Sequence, residues 1–191
     1  MARWEPDAPG RLTAAALDLF AEHGYERTSV ADIAERAGVT ERTFFRYFAD
    51  KREVLFDSAH RLEDTVIAAI ASSDGSTPLD VMVDAFVSTS ELFDDRADFA
   101  RRRALVIESH ASLRERELLK LALLASGARR ALCERGVAEP EAAVAAEVAV
   151  TVFKVAFGRW IDDASLPLAD HVRGVTTSLR TGIQRPSSHP L

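Results

Sequence analysis

The chain has 191 residues, 47% of them hydrophobic and 28% charged, which supplies enough apolar material for a real core and excludes wholesale disorder. Its net charge is -6, from 24 basic and 30 acidic side chains, which argues against a protein that coats nucleic acid nonspecifically, although a small DNA-reading face needs only a few phosphate contacts. The single cysteine, Cys133, excludes an internal disulfide framework and a CxxC zinc site, and no stretch approaches the roughly 18 apolar residues of a membrane span.

Alanine occurs 32 times, and proline is absent between Pro9 and Pro78 and again between Pro78 and Pro140, so the expected fold class is all-α. Residues 1–10 are polar with two prolines and read as a flexible arm, not a signal peptide; the expected location is a reducing cytoplasm. Leu12, Ala16, Leu19, Phe20 and His23 give Arg11–His23 the spacing of an amphipathic helix, and Gly24 follows as its C-terminal cap. Ser29 opens a short helix ending near Ala37. Gly38 turns the chain, and Thr40 caps another short helix ending near Phe48.

Asp50 caps a longer helix from about Lys51 to Ser72, and SSDGSTP (Ser72 to Pro78) is the clearest loop. Further helices are expected near Leu79–Asp95, Asp98–Ser109, Leu113–Arg135, Glu141–Asp162 and Leu168–Gln184. Residues 185–191, RPSSHPL, read as a flexible tail.

The informative stretch is SVADIAERAGVTERTFFRYF, Ser29 to Phe48. Two helices that cross steeply need a small residue at the crossing, which Ala34 supplies. They also need a turn residue tolerant of positive φ, which is Gly38, and an apolar plug, which is Val39. Ile33, Ala37, Val39, Phe44 and Phe48 then share a buried seam, leaving Arg42, Arg46 and Tyr47 on or beside the outer face. The Ala-x-x-x-Gly-Val spacing alone also suits an ordinary helical hairpin.

The Thr-x-x-Thr-Phe-Phe-x-Tyr-Phe-x-x-Lys pattern that follows resembles the TetR family of bacterial transcriptional regulators. The resemblance runs from Leu12 to about Phe56 and is carried by ALDLFAEHGYERTSVADIAERAGVTERTFFRYFADKREVLF. It implies a three-helix helix-turn-helix DNA-binding domain over 11–50, then a C-terminal helical bundle over 51–184 that dimerises and holds a small-molecule effector. Carried over position by position, Thr28 and Ser29 fall where a hydroxyl and helix amides meet phosphate. Thr40 caps the recognition helix, with Glu41, Arg42 and Arg46 at groove-facing positions. Thr43 and Tyr47 match phosphate or base-edge contacts, and Lys51 matches a phosphate-binding lysine. Phe45 stands where many relatives have tyrosine. Arg42 replaces a frequently small residue, and Glu41 adds an acid to the same face, so the base-reading set is unusual.

Elementary chemistry supports the role independently. Arginine offers guanine two parallel hydrogen bonds, and hydroxyls suit phosphate oxygens. Residues 1–56 nevertheless hold eight basic and ten acidic side chains, so nonspecific affinity is expected to be weak and specific binding to need two half-sites.

Glu141–Asp162 is apolar on most of its circumference, a pattern of burial on two sides. The second partner is either this chain's own bundle or another subunit. The reading taken is a homodimer interface of Ala142, Ala145, Ala149, Val152 and Ala156 with Val175, Leu179 and Ile183.

An effector pocket is expected among the helices after Pro78. Its apolar candidates are Met82, Phe86, Phe93, Val106, Leu121 and Phe153, with Ser90, Arg103 and His110 as orienting polar groups. That lining favours a largely apolar ligand. Arg101, Arg102 and Arg103 also suit a plain surface cluster with buried stems, and Cys133 a small buried hydrophobe.

The histidines show no metal-ligand spacing, and no HExxH, GxSxG or phosphate-cradling glycine loop occurs, so neither metal, cofactor nor catalysis is expected. The expected function is a ligand-responsive repressor acting as a homodimer on a palindromic operator. An activator, an effector-independent regulator and a helical enzyme with an appended helix-turn-helix are the alternatives.

Overall fold

The structure is a computed structural model and describes residues 7–94, 96–163 and 165–184. Among the described residues the regular elements are all helical: α1 (Ala8–His23), α2 (Val30–Arg36), α3 (Glu41–Tyr47), a 3-10 turn (Glu53–Leu55), α4 (Asp57–Ser72), α5 (Pro78–Thr89), α6 (Glu91–Asp94), α7 (Ala97–Glu108), α8 (Ala111–Glu134), α9 (Glu139–Asp162) and α10 (Leu168–Gln184). No helix among them is long and apolar enough to cross a membrane.

Several boundaries move from their expected places, each for a local reason. The Asp7 carboxylate accepts from the Gly10 amide at 3.1 Å, so α1 starts at Ala8, inside the span 1–10 expected as an arm. The rest of that arm, the tail 185–191 and Asp95 lie outside the described residues. The helix expected from Lys51 starts later. One Asp50 carboxylate oxygen accepts from the Arg52 and Glu53 amides, which turns the chain into a single 3-10 turn before α4. The helix expected over 79–95 breaks at Ser90. There the Thr89 and Ser90 hydroxyls, both fully buried, donate to the Phe86 carbonyl at 3.0 and 2.8 Å and compete with the helical ladder.

The chain gathers into two compact units. One takes the chain up to Arg61 together with Phe99–Lys120, and the other takes Leu62–Asp98 with the chain from Leu121 onward.

The first unit is built around Leu12, Ala16, Phe20, Ile33, Phe44, Phe48 and Leu55, to which α7 and the start of α8 add Val106, Ile107 and Leu113. Polar ties fasten these later residues down. Arg103 donates through Nε to the Leu55 carbonyl at 2.7 Å, pairs with Glu117 at 3.1 Å and lies over the Phe56 ring. Burial lowers the pKa of this guanidinium, and the Glu117 carboxylate partly offsets it. His110 meets the Glu26 carboxylate at 2.6 Å, with its ring 4.6 Å from that of Tyr25.

Glu53 pairs with Arg116 and with Lys120, the latter at 3.2 Å. Burial raises this carboxyl, but the two cations outweigh it and hold it below the usual carboxylate range. A carboxyl so depressed stabilises the fold above its unfolded pKa, about 4.3, and this contribution is lost as pH falls through the folded value. Glu53→Gln is therefore expected to destabilise the protein at neutral pH and to flatten its acid dependence. Urea unfolding at pH 7 and pH 3 measures both, and an unchanged gap between the two pH values contradicts the assignment.

In the second unit α9 packs against α5 and α10. Ala142, Ala149 and Ala156 are fully buried, and Ala145 and Val152 nearly so. This corrects the expected dimer surface: these five residues face the chain's own helices, where small side chains permit close approach, and have no surface left for a partner. On α9 and α10 the exposed large apolar residues are instead Val144, Val155 and Ile183, with Val148, Val175 and Leu179 half-buried; Leu92, Leu123 and Leu166 are exposed elsewhere in this unit.

Within this unit Phe86 stacks on Phe153 at 4.7 Å, and Phe93 reaches Phe153, Phe157 and Trp160 at 6.0, 5.6 and 6.4 Å. Arg135 closes the end of α4 by donating to the carbonyls of Ile70, Ala71 and Ser73.

Candidate nucleic-acid interface

The turn between α2 and α3 follows the steric logic of its sequence. Gly38 takes φ 68°, a left-handed value that a side chain would strain. The Val39 amide donates to the Ala34 carbonyl at 2.9 Å, and Ala34 is 2% exposed. The Thr40 hydroxyl accepts from the Thr43 amide at 3.2 Å and starts α3. Phe44, fully buried, and Phe48 then anchor α3 with ring centroids 5.3 Å apart.

That anchoring decides which side chains face outward. Glu41, Arg42, Phe45, Arg46 and Tyr47 are exposed, and Thr43 is half-buried with its hydroxyl 3.1 Å from that of Thr40. Arg46 lies 4.7 Å over the Tyr47 ring and donates to its hydroxyl at 2.9 Å, so the two side chains present one cationic, planar unit. Arg42 is exposed, and its side chain makes no hydrogen bond or ion pair to a described residue.

The loop before α2 differs from the expected arrangement. Thr28 is 2% exposed, and its hydroxyl donates to the carbonyls of Leu19 and Gly24 at 3.3 and 3.0 Å. It holds the end of α1 and is not available to phosphate, which corrects its expected role. Ser29 remains exposed, but its hydroxyl is engaged with Asp32 at 2.7 Å in a reciprocal cap, and those hydrogen bonds lower the Asp32 pKa. Lys51 donates to the carbonyls of Tyr25 and Thr28 at 2.7 and 2.9 Å, with its ammonium 4.1 Å over the Tyr25 ring. Burial lowers its pKa, and the ammonium keeps one further donor. Lys51 is thus first a clasp on the loop that leads into α2.

The expected effector set divides between the two units. Met82, Phe86, Ser90, Phe93, Leu121 and Phe153 belong to the second, and Arg103, Val106 and His110 to the first. The polar groups of Arg103 and His110 are occupied by Leu55, Glu117 and Glu26 within the first unit. Phe157 and Trp160 join the aromatic cluster. Their spacing after Phe153 on α9 is visible in the sequence and marks them as its neighbours. Cys133 is half-buried.

Comparison with known proteins places the helix-turn-helix and the later helices in one family, although the second profile match runs through Phe99–Lys120, which packs with the first unit. The profile described as "Bacterial regulatory proteins, tetR family" matches residues 12–57, and the "MftR C-terminal domain" profile matches residues 76–184. The regulator TcmR of Streptomyces glaucescens is 42% identical over 77 residues, 40% of this chain and 34% of its own length. The aligned stretch therefore spans about a third of that relative. The fatty acid degradation regulator FadR of Bacillus halodurans shares the fold at TM-score 0.62 and 18% identity, covering 96% of this chain and 100% of its own. FadR of Bacillus subtilis, solved in complex with stearoyl-CoA, does so at TM-score 0.59 and 21% identity over 92% of this chain and 99% of its own.

Proposed function

The chain belongs to the TetR family of bacterial regulatory proteins, and from that membership we propose that it is a sequence-specific DNA-binding transcriptional regulator, a cytoplasmic repressor that binds a palindromic operator as a homodimer and leaves it on taking up a small, largely apolar molecule. The observation that carries the reading is the outer face of α3. Arg42 and Arg46 are exposed above a helix whose opposite side is locked by Phe44 and Phe48. A helix held rigidly by its inner side and armed with arginine on its outer side suits the major groove, where arginine distinguishes guanine by O6 and N7.

The dimer rests on α9 and α10. Val144, Val148 and Val155 on one and Val175, Leu179 and Ile183 on the other remain exposed or half-buried, a face available to a second copy. Two reading heads then meet half-sites about 34–36 Å apart, or at a compatible longer spacing. The effector reading rests on the aromatic cluster around Phe86, Phe93, Phe153 and Trp160, which suits an apolar body, and on the stearoyl-CoA found in the B. subtilis protein of the same fold. Such a ligand releases DNA by binding the non-binding state better, with coupling of about 1–3 kcal/mol.

The test is selection of binding sites from random duplex DNA, with Arg42→Ala beside the parent protein. The parent is expected to yield a palindrome. The variant should bind it about 1–3 kcal/mol more weakly and lose its preference at one base position in each half-site. An unchanged preference removes Arg42 from the reading set, and no enriched sequence at all overturns the function.

A further inference from the structure

Phe45 is 54% exposed in the outward part of α3 and is not among the buried core residues of the first unit. Its ring and that of Phe44 meet edge to face, 5.4 Å apart at 80°, which steadies it on one side while more than half of the residue stays exposed. Resting on the DNA-reading function proposed above, we propose that Phe45 reads the C5-methyl group of a thymine on the base pair next to the one read by Arg42.

The argument is one of position and chemistry. Phe45 follows Arg42 by three residues, so on a helix rising 1.5 Å per residue the two side chains leave the same face about 4.5 Å apart along the axis. Base pairs succeed one another every ~3.4 Å, which brings the pair to neighbouring steps of the groove. A phenyl ring has no donor or acceptor, so it can neither hold a phosphate nor read a polar base edge. The apolar feature that the major groove offers it is the thymine methyl.

Tyr47, the other exposed aromatic of α3, is committed through its hydroxyl and ring to Arg46 and does not share this role. Arg42 and Phe45 together therefore specify a guanine beside a thymine. Phe45 adds sequence information in place of the hydroxyl contact that a tyrosine would make.

The experiment replaces thymines of the selected operator one at a time by deoxyuridine, which removes the methyl group and nothing else. At one thymine per half-site, adjacent to a guanine, the parent protein is expected to lose about three- to fivefold in affinity, the worth of one buried methyl. Phe45→Ala should bind the thymine operator more weakly and show no further loss with deoxyuridine, whereas Phe45→Leu should keep part of the discrimination. Because the ring is exposed, both variants should melt with the parent.

If deoxyuridine is neutral at every position, or Phe45→Ala keeps the full penalty, the assignment of Phe45 is overturned while the DNA-reading function stands. If the parent enriches no sequence from random DNA, that function falls and this inference with it.

Discussion

Phe44→Ala is expected to cost about 3–5 kcal/mol and to abolish operator binding. The ring is fully buried, meets Phe48 at 5.3 Å, and lies in the same core as Ile33, Leu12 and Leu55. Its removal leaves a cavity at the point where α3 is fastened to the rest of the first unit. Domains of this size are stable by about 5–15 kcal/mol, so the loss is a large fraction of the total. For a chain of this length it corresponds to a fall of roughly 6–20 °C in melting temperature. Circular dichroism on heating and a mobility shift with the selected operator measure the two effects. A variant that melts within a degree or two of the parent shows that the seam does not depend on this ring.

Ala149→Glu is expected to unfold the second unit rather than merely separate two subunits. Ala149 is fully buried in α9, which packs on α5 and α10, so a carboxylate there is both too large and without a partner. Val155→Glu, on the exposed side of the same helix at 43% exposure, should keep the helical content and lose the dimer. Sedimentation velocity at low micromolar concentration, beside circular dichroism, separates the two outcomes. A folded Ala149→Glu protein places that residue outside the core, and a dimeric Val155→Glu protein moves the proposed partner surface elsewhere.

The helix-turn-helix was legible in the sequence because its requirements are local. A small residue at Ala34, a positive φ at Gly38 and a plug at Val39 lie within six positions, and the hydrogen bond from Val39 to Ala34 closes the same short segment. The outward set from Glu41 to Tyr47 follows once Phe44 and Phe48 are read as buried.

Roles that depend on distant partners were not legible. A hydroxyl at Thr28 suits a phosphate and a loop carbonyl equally well, and only the placement of the Leu19 and Gly24 carbonyls decides between them. Arg103 finds the Leu55 carbonyl 48 residues back in the chain, a contact that no helical periodicity predicts. On α9 the alanine face and the valine face are both apolar. Neither hydropathy nor side-chain bulk tells which meets α5 and α10, because alanines permit close approach of a helix from the same chain or from another copy alike.

The first unit is discontinuous: the chain up to Arg61 is completed by Phe99–Lys120. Synthesis therefore delivers α3 long before it delivers the residues that complete the core of its unit. At roughly 5–20 residues per second, Lys120 leaves the ribosome's catalytic centre some 3–12 s after Arg61. Throughout that interval Glu53 lacks Arg116 and Lys120, the Leu55 carbonyl lacks Arg103, and the apolar surface that Val106, Ile107 and Leu113 will cover is open to water. A nascent or prematurely terminated chain that stops before α7 carries the exposed side chains of α3 that are proposed to face DNA and lacks the residues that complete the core of their unit. On the function proposed above, a fragment of that length lacks the completed unit with which to occupy an operator.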